Sequence, residues 1–274
     1  MSVQAPGMGQ RQVASRIDAV VTQESDVVLA VAVASEYDRT DEHLSVTIDG
    51  VDLPVRELVT DQGARLHLID DIPPGYLVVD YRASVDGHLA VPVATELETV
   101  KSVRPSRYCQ SDELAPLARA EFEGLTGRDL LRAVSSWVGA NLAYVPGSSR
   151  PTDGAVATLL ARQGVCRDYA HLCAALLRAN DLPARLVSVY APGLDPMDFH
   201  AVTEVCIDRV WYVVDATCLA PRSSMVRIAT GADATDTAFM TTRRGGLDLV
   251  YLAVTAITTN QLPFDDLDEL VSIS

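Results

Sequence analysis

A cysteine, a histidine and an aspartate in this chain sit in contexts that suit nucleophilic acyl chemistry. Cys166 lies in GVCRDYAHLCAALLRANDLPAR, two residues after Gly164 and at the start of about four turns of helical pattern. Backbone N–H groups without intrahelical partners, and the positive end of the helix dipole, favour thiolate over thiol there. His200 and Asp215 lie in FHAVTEVCIDRVWYVVDAT. This reads as two strands, 200–207 and 210–217, around a turn at Asp208-Arg209. With a two-residue turn, Ile207 faces Val210, Val202 faces Asp215 and His200 faces Thr217. His200 and Asp215 then share one face as diagonal neighbours, about 7–8 Å apart at the backbone and within side-chain reach. A three-residue turn puts them on opposite faces, so the pairing depends on hairpin register. Cys166 as nucleophile, His200 as base and Asp215 as the group that orients the imidazole form a triad for attack on an amide or ester carbonyl.

The blocks GVCRDYAHLCAALLRANDLPAR, FHAVTEV and WYVVDAT, in that order, resemble the core of the transglutaminase-like superfamily. Its pattern is G-x-C-x-[DE]-[FY]-A with a following G-[IL]-P-A-R, then H-A-W-x-E-V, then W-x-x-[LVF]-D-P-T. The resemblance spans residues 150–220, with weaker similarity on either side to bacterial proteins that carry a β-rich domain before this core. It carries the family's nucleophile onto Cys166, its histidine onto His200 and its aspartate onto Asp215. Asp181 stands where glycine is usual, Val202 where tryptophan is usual and Ala216 where proline is usual. The last two flank His200 and Asp215 and bear on cleft shape and substrate class.

The resemblance implies an α+β fold whose papain-like or transglutaminase-like core packs helices on an antiparallel sheet. It also implies a thiol enzyme that forms a thioester acyl-enzyme on a peptide, protein or small amide. Water as acceptor makes such an enzyme a cysteine protease or amidase, and an amine makes it a transglutaminase-type acyltransferase. Val202 in place of tryptophan offers less apolar shielding from water and favours hydrolysis. The competing class is a catalytically silent module that keeps the fold for peptide binding or assembly, against which an intact triad argues. A thiol-redox role is disfavoured because Cys166 and Cys173 are two helical turns apart, about 10 Å along the axis.

For the oxyanion, the backbone N–H of Cys166 is one donor at a helix start. The second is the amide of Gln163 or the hydroxyl of Tyr108, and the sequence leaves both open. His171 points about 140° away from Cys166 around a helix, and Asp168 also faces elsewhere, so both read as structural or surface residues. Arg185 reads as an ion-pair partner, and Glu204 as cleft-lining or surface. Asp195 and Asp198 lack the alternating acidic spacing of a calcium loop, and the cysteines show no C-x-x-C pair for zinc. Neither metal nor cofactor is expected.

These residues need a scaffold, and the 274-residue chain with 48% hydrophobic residues is long enough to build one. Residues 1–12 read as a flexible lead. Residues 13–100 carry short β-rich segments between turn signals such as Asp49-Gly50, Pro73-Pro74-Gly75 and Asp86-Gly87, which predicts an antiparallel sandwich or barrel-like domain. His43, His67 and His88 fall within it and are expected to be exposed. Residues 106–260 are expected to hold the catalytic domain. It has helices over 111–124 and 128–142, the second capped by Thr126, and a short helix capped by Asp153. The Cys166 helix follows, then sheet from Ala184 to Thr217, and a late β-rich run over 247–258. The segment between returns towards the cleft. Residues 261–274 read as a solvated acidic tail.

The net charge of −15 argues against nucleic acid and anionic membrane surfaces, both of which need a basic footprint. No window approaches 18 unbroken apolar residues and no apolar leader follows the start, so the sequence predicts a soluble, cytoplasmic protein. The five cysteines, 109, 166, 173, 206 and 218, are then expected to be free thiols. The sequence does not address oligomeric state.

Overall fold

The computed structural model describes residues 9–87 and 93–273. The strands are β1 (Arg11–Leu29), β2 (Arg39–Ile48), β3 (Val51–Asp52), β4 (Arg56–Val59), β5 (Arg65–Ile72) and β6 (Gly75–Val85), then β7 (Ala143–Tyr144), β8 (Gln163–Gly164), β9 (Ala184–Tyr190), β10 (Phe199–Ile207), β11 (Val210–Val214), β12 (Val226–Gly231) and β13 (Met240–Thr258). The helices are α1 (Glu96–Ser102), α2 (Ser111–Glu121), α3 (Gly127–Asn141), α4 (Ala155–Ala161), α5 (Cys166–Ala179) and α6 (Ala234–Thr237). The architecture is α+β, and no helix among the described residues is long and apolar enough to cross a membrane.

The β-rich part is one antiparallel sheet curled into a half-barrel, ordered β3-β2-β6-β1-β5-β4, with β13 also paired to β1. Alternation along β1 sends Val13, Ile17, Ala19 and Val21 into the core while Gln12, Arg16 and Val20 face out. Where short β-rich segments were expected, Arg11–Leu29 forms one long strand. A register break between Gln23 and Asp26 absorbs the polar Thr-Gln-Glu-Ser interruption. The 247–258 run, expected with the catalytic domain, lies instead in this first sheet as part of β13, in register from Arg11↔Thr258 to Leu29↔Met240. Its hydrogen-bonding partner is β1, which is otherwise short of a neighbour.

After β1, the apolar run Ala30–Ala34 is fully buried between this sheet and the second half of the chain. Its backbone groups find partners across the seam. Ala30 donates to the Phe239 carbonyl at 2.9 Å, Ala34 donates to that of Arg227 at 3.0 Å, and the Tyr190 hydroxyl donates to the Val31 carbonyl at 2.8 Å.

The second half builds a four-stranded antiparallel sheet, ordered β11-β10-β9-β12, against which α5 packs. Every residue of α5 from Asp168 to Ala179 is buried. An all-round buried helix is a central one, and α2, α3 and α4 surround it. Asp181, where the family pattern has glycine, follows the helix at φ +59°. The left-handed backbone at this helix end explains the usual glycine, and aspartate is among the few residues that tolerate it.

Three local expectations differ. Asp153 does not cap α4, whose N-cap is Gly154; its carboxylate accepts from the Arg150 N–H at 2.9 Å instead. Thr126 holds the N-cap position of α3 without a side-chain hydrogen bond. The acidic tail is not a solvated end. Val213 donates to the Val271 carbonyl at 2.7 Å, Ile273 is 3% exposed, Arg222 grips Asp265 at 2.9 Å, and Arg132 pairs with Asp268.

Candidate active site

Cys166 is the first residue of α5 and is half-buried. The turn that delivers it is held by Asp168, whose Oδ2 accepts the Val165 N–H at 2.8 Å while Oδ1 accepts from Ser149 Oγ at 2.9 Å. Asp168 therefore caps the helix and is 1% exposed. A Cβ at Gly164 would stand 2.6 Å from that of Asp168. The glycine before the cysteine is the residue that lets the cap fold back.

The β10–β11 hairpin pairs Ile207 with Val210 and Thr203 with Val214, the register of a two-residue turn. Asp208 and Arg209 supply it with φ of +50° and +64°, the type I′ pattern that matches strand twist. That register brings His200 Nε2 to 2.8 Å from Asp215 Oδ2, with both residues buried. Asp215 is itself fixed, since Oδ1 accepts from the Thr217 N–H at 3.0 Å and from its hydroxyl at 2.6 Å. Burial alone would lower the His200 pKa. The Asp215 charge, its hydrogen bond and the neighbouring Cys166 side chain outweigh that and raise it to about 10. Burial pushes Asp215 up, but the His200 and Thr217 contacts hold its carboxyl below the usual range. The imidazole nitrogen turned away from Asp215, Nδ1, has no hydrogen-bond partner. Cys166 and His200 line the same cavity.

The four other thiols are all shifted upwards, by burial first. Cys109 goes up to about 12, Cys173 further, and Cys206 and Cys218 also rise. All five cysteines are free.

Of the two oxyanion candidates, Tyr108 stacks on His171 at 5.3 Å between ring centres, and Gln163 is exposed on β8. The hydroxyl that neighbours Cys166 belongs to Tyr144, a residue the sequence reading missed. The parallel β7–β8 pair sets Tyr144 opposite Gly164. Burial and the Cys166 sulfur push the Tyr144 pKa up to about 12, against the pull of the Cys166 N–H, so its hydroxyl keeps its proton at neutral pH.

His171 is fully buried, accepts from the Ala234 N–H at 3.2 Å through Nε2, and is lowered by burial to about 3. It is a neutral structural residue. Glu204 is buried rather than at the surface, and its carboxylate is shared by Arg185 at 2.8 Å and Arg227 at 2.6 Å. Arg185 also reaches Glu98 at 3.0 Å and stacks over Trp211 at 3.9 Å. Asp198 lines the Cys166 cavity, and burial raises its pKa. His43 is exposed as expected; His67 is instead 5% exposed and contacts Glu57 at 3.1 Å, because its side chain faces inward from β5. His88 lies outside the described residues.

Residues 120–216 match the family model of the transglutaminase-like superfamily. The chain is similar to a candidate cysteine protease from Cytophaga hutchinsonii, at 29% identity over 97% of this chain and 96% of that one, with a TM-score of 0.87. It is also similar to an uncharacterized protein of Mycobacterium tuberculosis, 42% identical over 74 residues, and to one of Mycobacterium leprae, 35% identical over 63 residues. The M. tuberculosis match spans 25% of this chain and 24% of the relative's length. The matched core contains the β7–β8 pair, α5 and the β10–β11 hairpin, and the likeness in fold runs along nearly the whole chain. Residues 120–216 therefore carry a transglutaminase-like core, and the chain around it has the fold of a candidate cysteine protease.

Proposed function

We propose that this chain is a cysteine-nucleophile acyl-transfer enzyme acting on peptide or other amide carbonyls, with Cys166 as nucleophile, His200 as acid–base and Asp215 as its orienting partner. The observation that carries the reading is the 2.8 Å contact between His200 Nε2 and Asp215 Oδ2. It leaves Nδ1 free on the ring of a residue that shares a cavity with a helix-start thiol.

With His200 raised to about 10, the imidazole is protonated at neutral pH and stands as a cation beside the sulfur. The thiolate attacks the carbonyl carbon, the C–S bond forms and the carbonyl π pair moves to oxygen. The Cys166 N–H and the Tyr144 hydroxyl are the donors for that oxyanion. Collapse breaks the C–N bond, and the leaving amine takes the His200 proton, which yields a thioester and a neutral imidazole. His200 then removes a proton from water as the oxygen adds. Expulsion of the thiolate releases the acid and restores the ion pair. Val202 packs into the apolar cluster beneath His200, with no tryptophan there to screen the thioester from water. Hydrolysis is therefore the favoured outcome, and amine transfer is its test: acylated enzyme that turns over only with a primary amine overturns it.

The triad is tested by iodoacetamide alkylation of each cysteine against pH, read by mass spectrometry. Cys166 is expected to react first among the five thiols at pH 6–7, and to lose roughly tenfold in rate in His200→Ala. Reaction no faster than that of exposed Cys218 overturns the triad and leaves a binding module.

A further inference from the structure

The cavity beside Cys166 is enclosed by four elements. The floor is the four-stranded sheet, through Ser188, Phe199, Ala201 and Ile228. The start of α5 forms one wall, α6 a second, and the β-rich sheet closes the third with Ala30 and Leu252. The space measures about 250 Å³. A cavity of about 150 Å³ with apolar walls holds benzene, and pockets for whole small molecules begin at about 300 Å³. The space therefore fits one ring-bearing side chain.

Its lining joins apolar side chains to Arg167, Asp198, Ser188 and Thr237 beside Cys166 and His200, and the Thr237 hydroxyl already donates to the Asp233 carbonyl. Phe199 and Phe239 stack at 5.2 Å between ring centres and present aromatic surface, against which another ring packs with favourable geometry. In the floor sits Ser188. Its neighbours on β9, Val187 and Val189, pack on the opposite face of the sheet. Alternation therefore turns Ser188 towards the cavity. Ser188 is 8% exposed and its Oγ has no hydrogen-bond partner. A buried hydroxyl left without a partner is unfavourable unless something that enters the site supplies one.

On the basis of the acyl-transfer reading above, we propose that this cavity receives the side chain of the residue whose carbonyl is attacked, that it selects a phenol ring of the tyrosine type, and that Ser188 is the specificity residue. A phenol brings an apolar face for the aromatic wall and a single hydroxyl for Ser188. An amide side chain carries two N–H donors and an acceptor, more than one serine can satisfy.

The test compares N-acetyl p-nitrophenyl esters of tyrosine, phenylalanine and alanine. The wild-type kcat/KM is expected to favour tyrosine over phenylalanine about 5- to 10-fold, the scale of one neutral hydrogen bond. Ser188→Ala is expected to bring the two within about twofold. Leu252→Trp, on the opposite wall, is expected to impair both aromatic esters and spare alanine. A tyrosine-to-phenylalanine ratio near one in the wild type, or one that survives Ser188→Ala, overturns the proposal. A second readout needs no turnover: protection of Cys166 from iodoacetamide by p-cresol or toluene. Stronger protection by p-cresol, lost in both variants, supports the pocket even if no ester is hydrolysed, in which case the acyl-transfer reading alone has failed. Equal protection by the two compounds, or none, overturns the pocket.

Discussion

The chemistry of the site rests on two side chains that stabilise each other. Against the ordinary value of 6.5, the His200 pKa of about 10 means that its contribution to stability is fully present below pH 6.5 and fades as pH rises through 10. Asp215, lowered from 3.8, contributes above that value and loses its contribution as pH falls. Urea unfolding is expected to show wild-type stability falling between pH 7 and pH 10 along a slope that flattens when His200→Gln and Asp215→Asn are combined. Tyr144 bears on rate rather than stability. Tyr144→Phe removes one proposed oxyanion donor and is expected to lower kcat about 100-fold with little change in KM, in ester kinetics. The His200–Asp215 pairing was legible in the sequence because the hairpin's alternation and two-residue turn fix its register. Tyr144 was not, because β7 and β8 are two residues each and show no periodicity. Its neighbour Gly164 was the one available signal.

At the scale of elements, the hairpin and α5 are held in place by charge placed deep inside. Glu204, lowered to about 2 by Arg227 and Arg185 against the upward push of burial, joins β10 to β9 and β12. Glu204→Ala leaves two buried guanidinium groups without their shared partner. The expected cost is about 3–5 kcal/mol, seen as a lower midpoint in urea. Asp168→Ala is milder, with about 1–2 kcal/mol lost with the cap, and it is expected to slow Cys166 alkylation as the first turn loosens. The sequence showed Glu204 and Arg185 as polar residues on strands but not their pairing. Arg227, the third member, stands on β12, a strand hidden in a segment read only as a return towards the cleft. The acidic tail was misjudged for a similar reason: Arg128 and Arg132 on α3, which hold Asp268, and Arg222, which holds Asp265, all lie far from the tail along the chain.

At the scale of the molecule, the two sheets share a seam as well as a chain. Tyr190 on β9 is fully buried, and its hydroxyl is within 2.8 Å of the Val31 carbonyl and 3.1 Å of Ser15 Oγ. Tyr190→Phe strands both groups and is expected to cost about 1–3 kcal/mol in a single unfolding transition. Two separate transitions would show that the β-rich sheet and the core are independent units. The turn spacing of the first hundred residues announced a β-rich scaffold, but not that its sheet walls the cavity beside Cys166.

The long strand β13 sets an order on how the protein matures. Its partner β1 leaves the ribosome long before Met240–Thr258 is synthesised and must wait until then with one edge unpaired. Pairing so distant in sequence makes folding slow and prolongs the exposure of apolar edges to aggregation. The same delay has a use, since Leu252 forms part of the wall beside Cys166. A nascent chain already carries Cys166 and His200 before that wall exists, and the cavity beside them is complete only once β13 has been made.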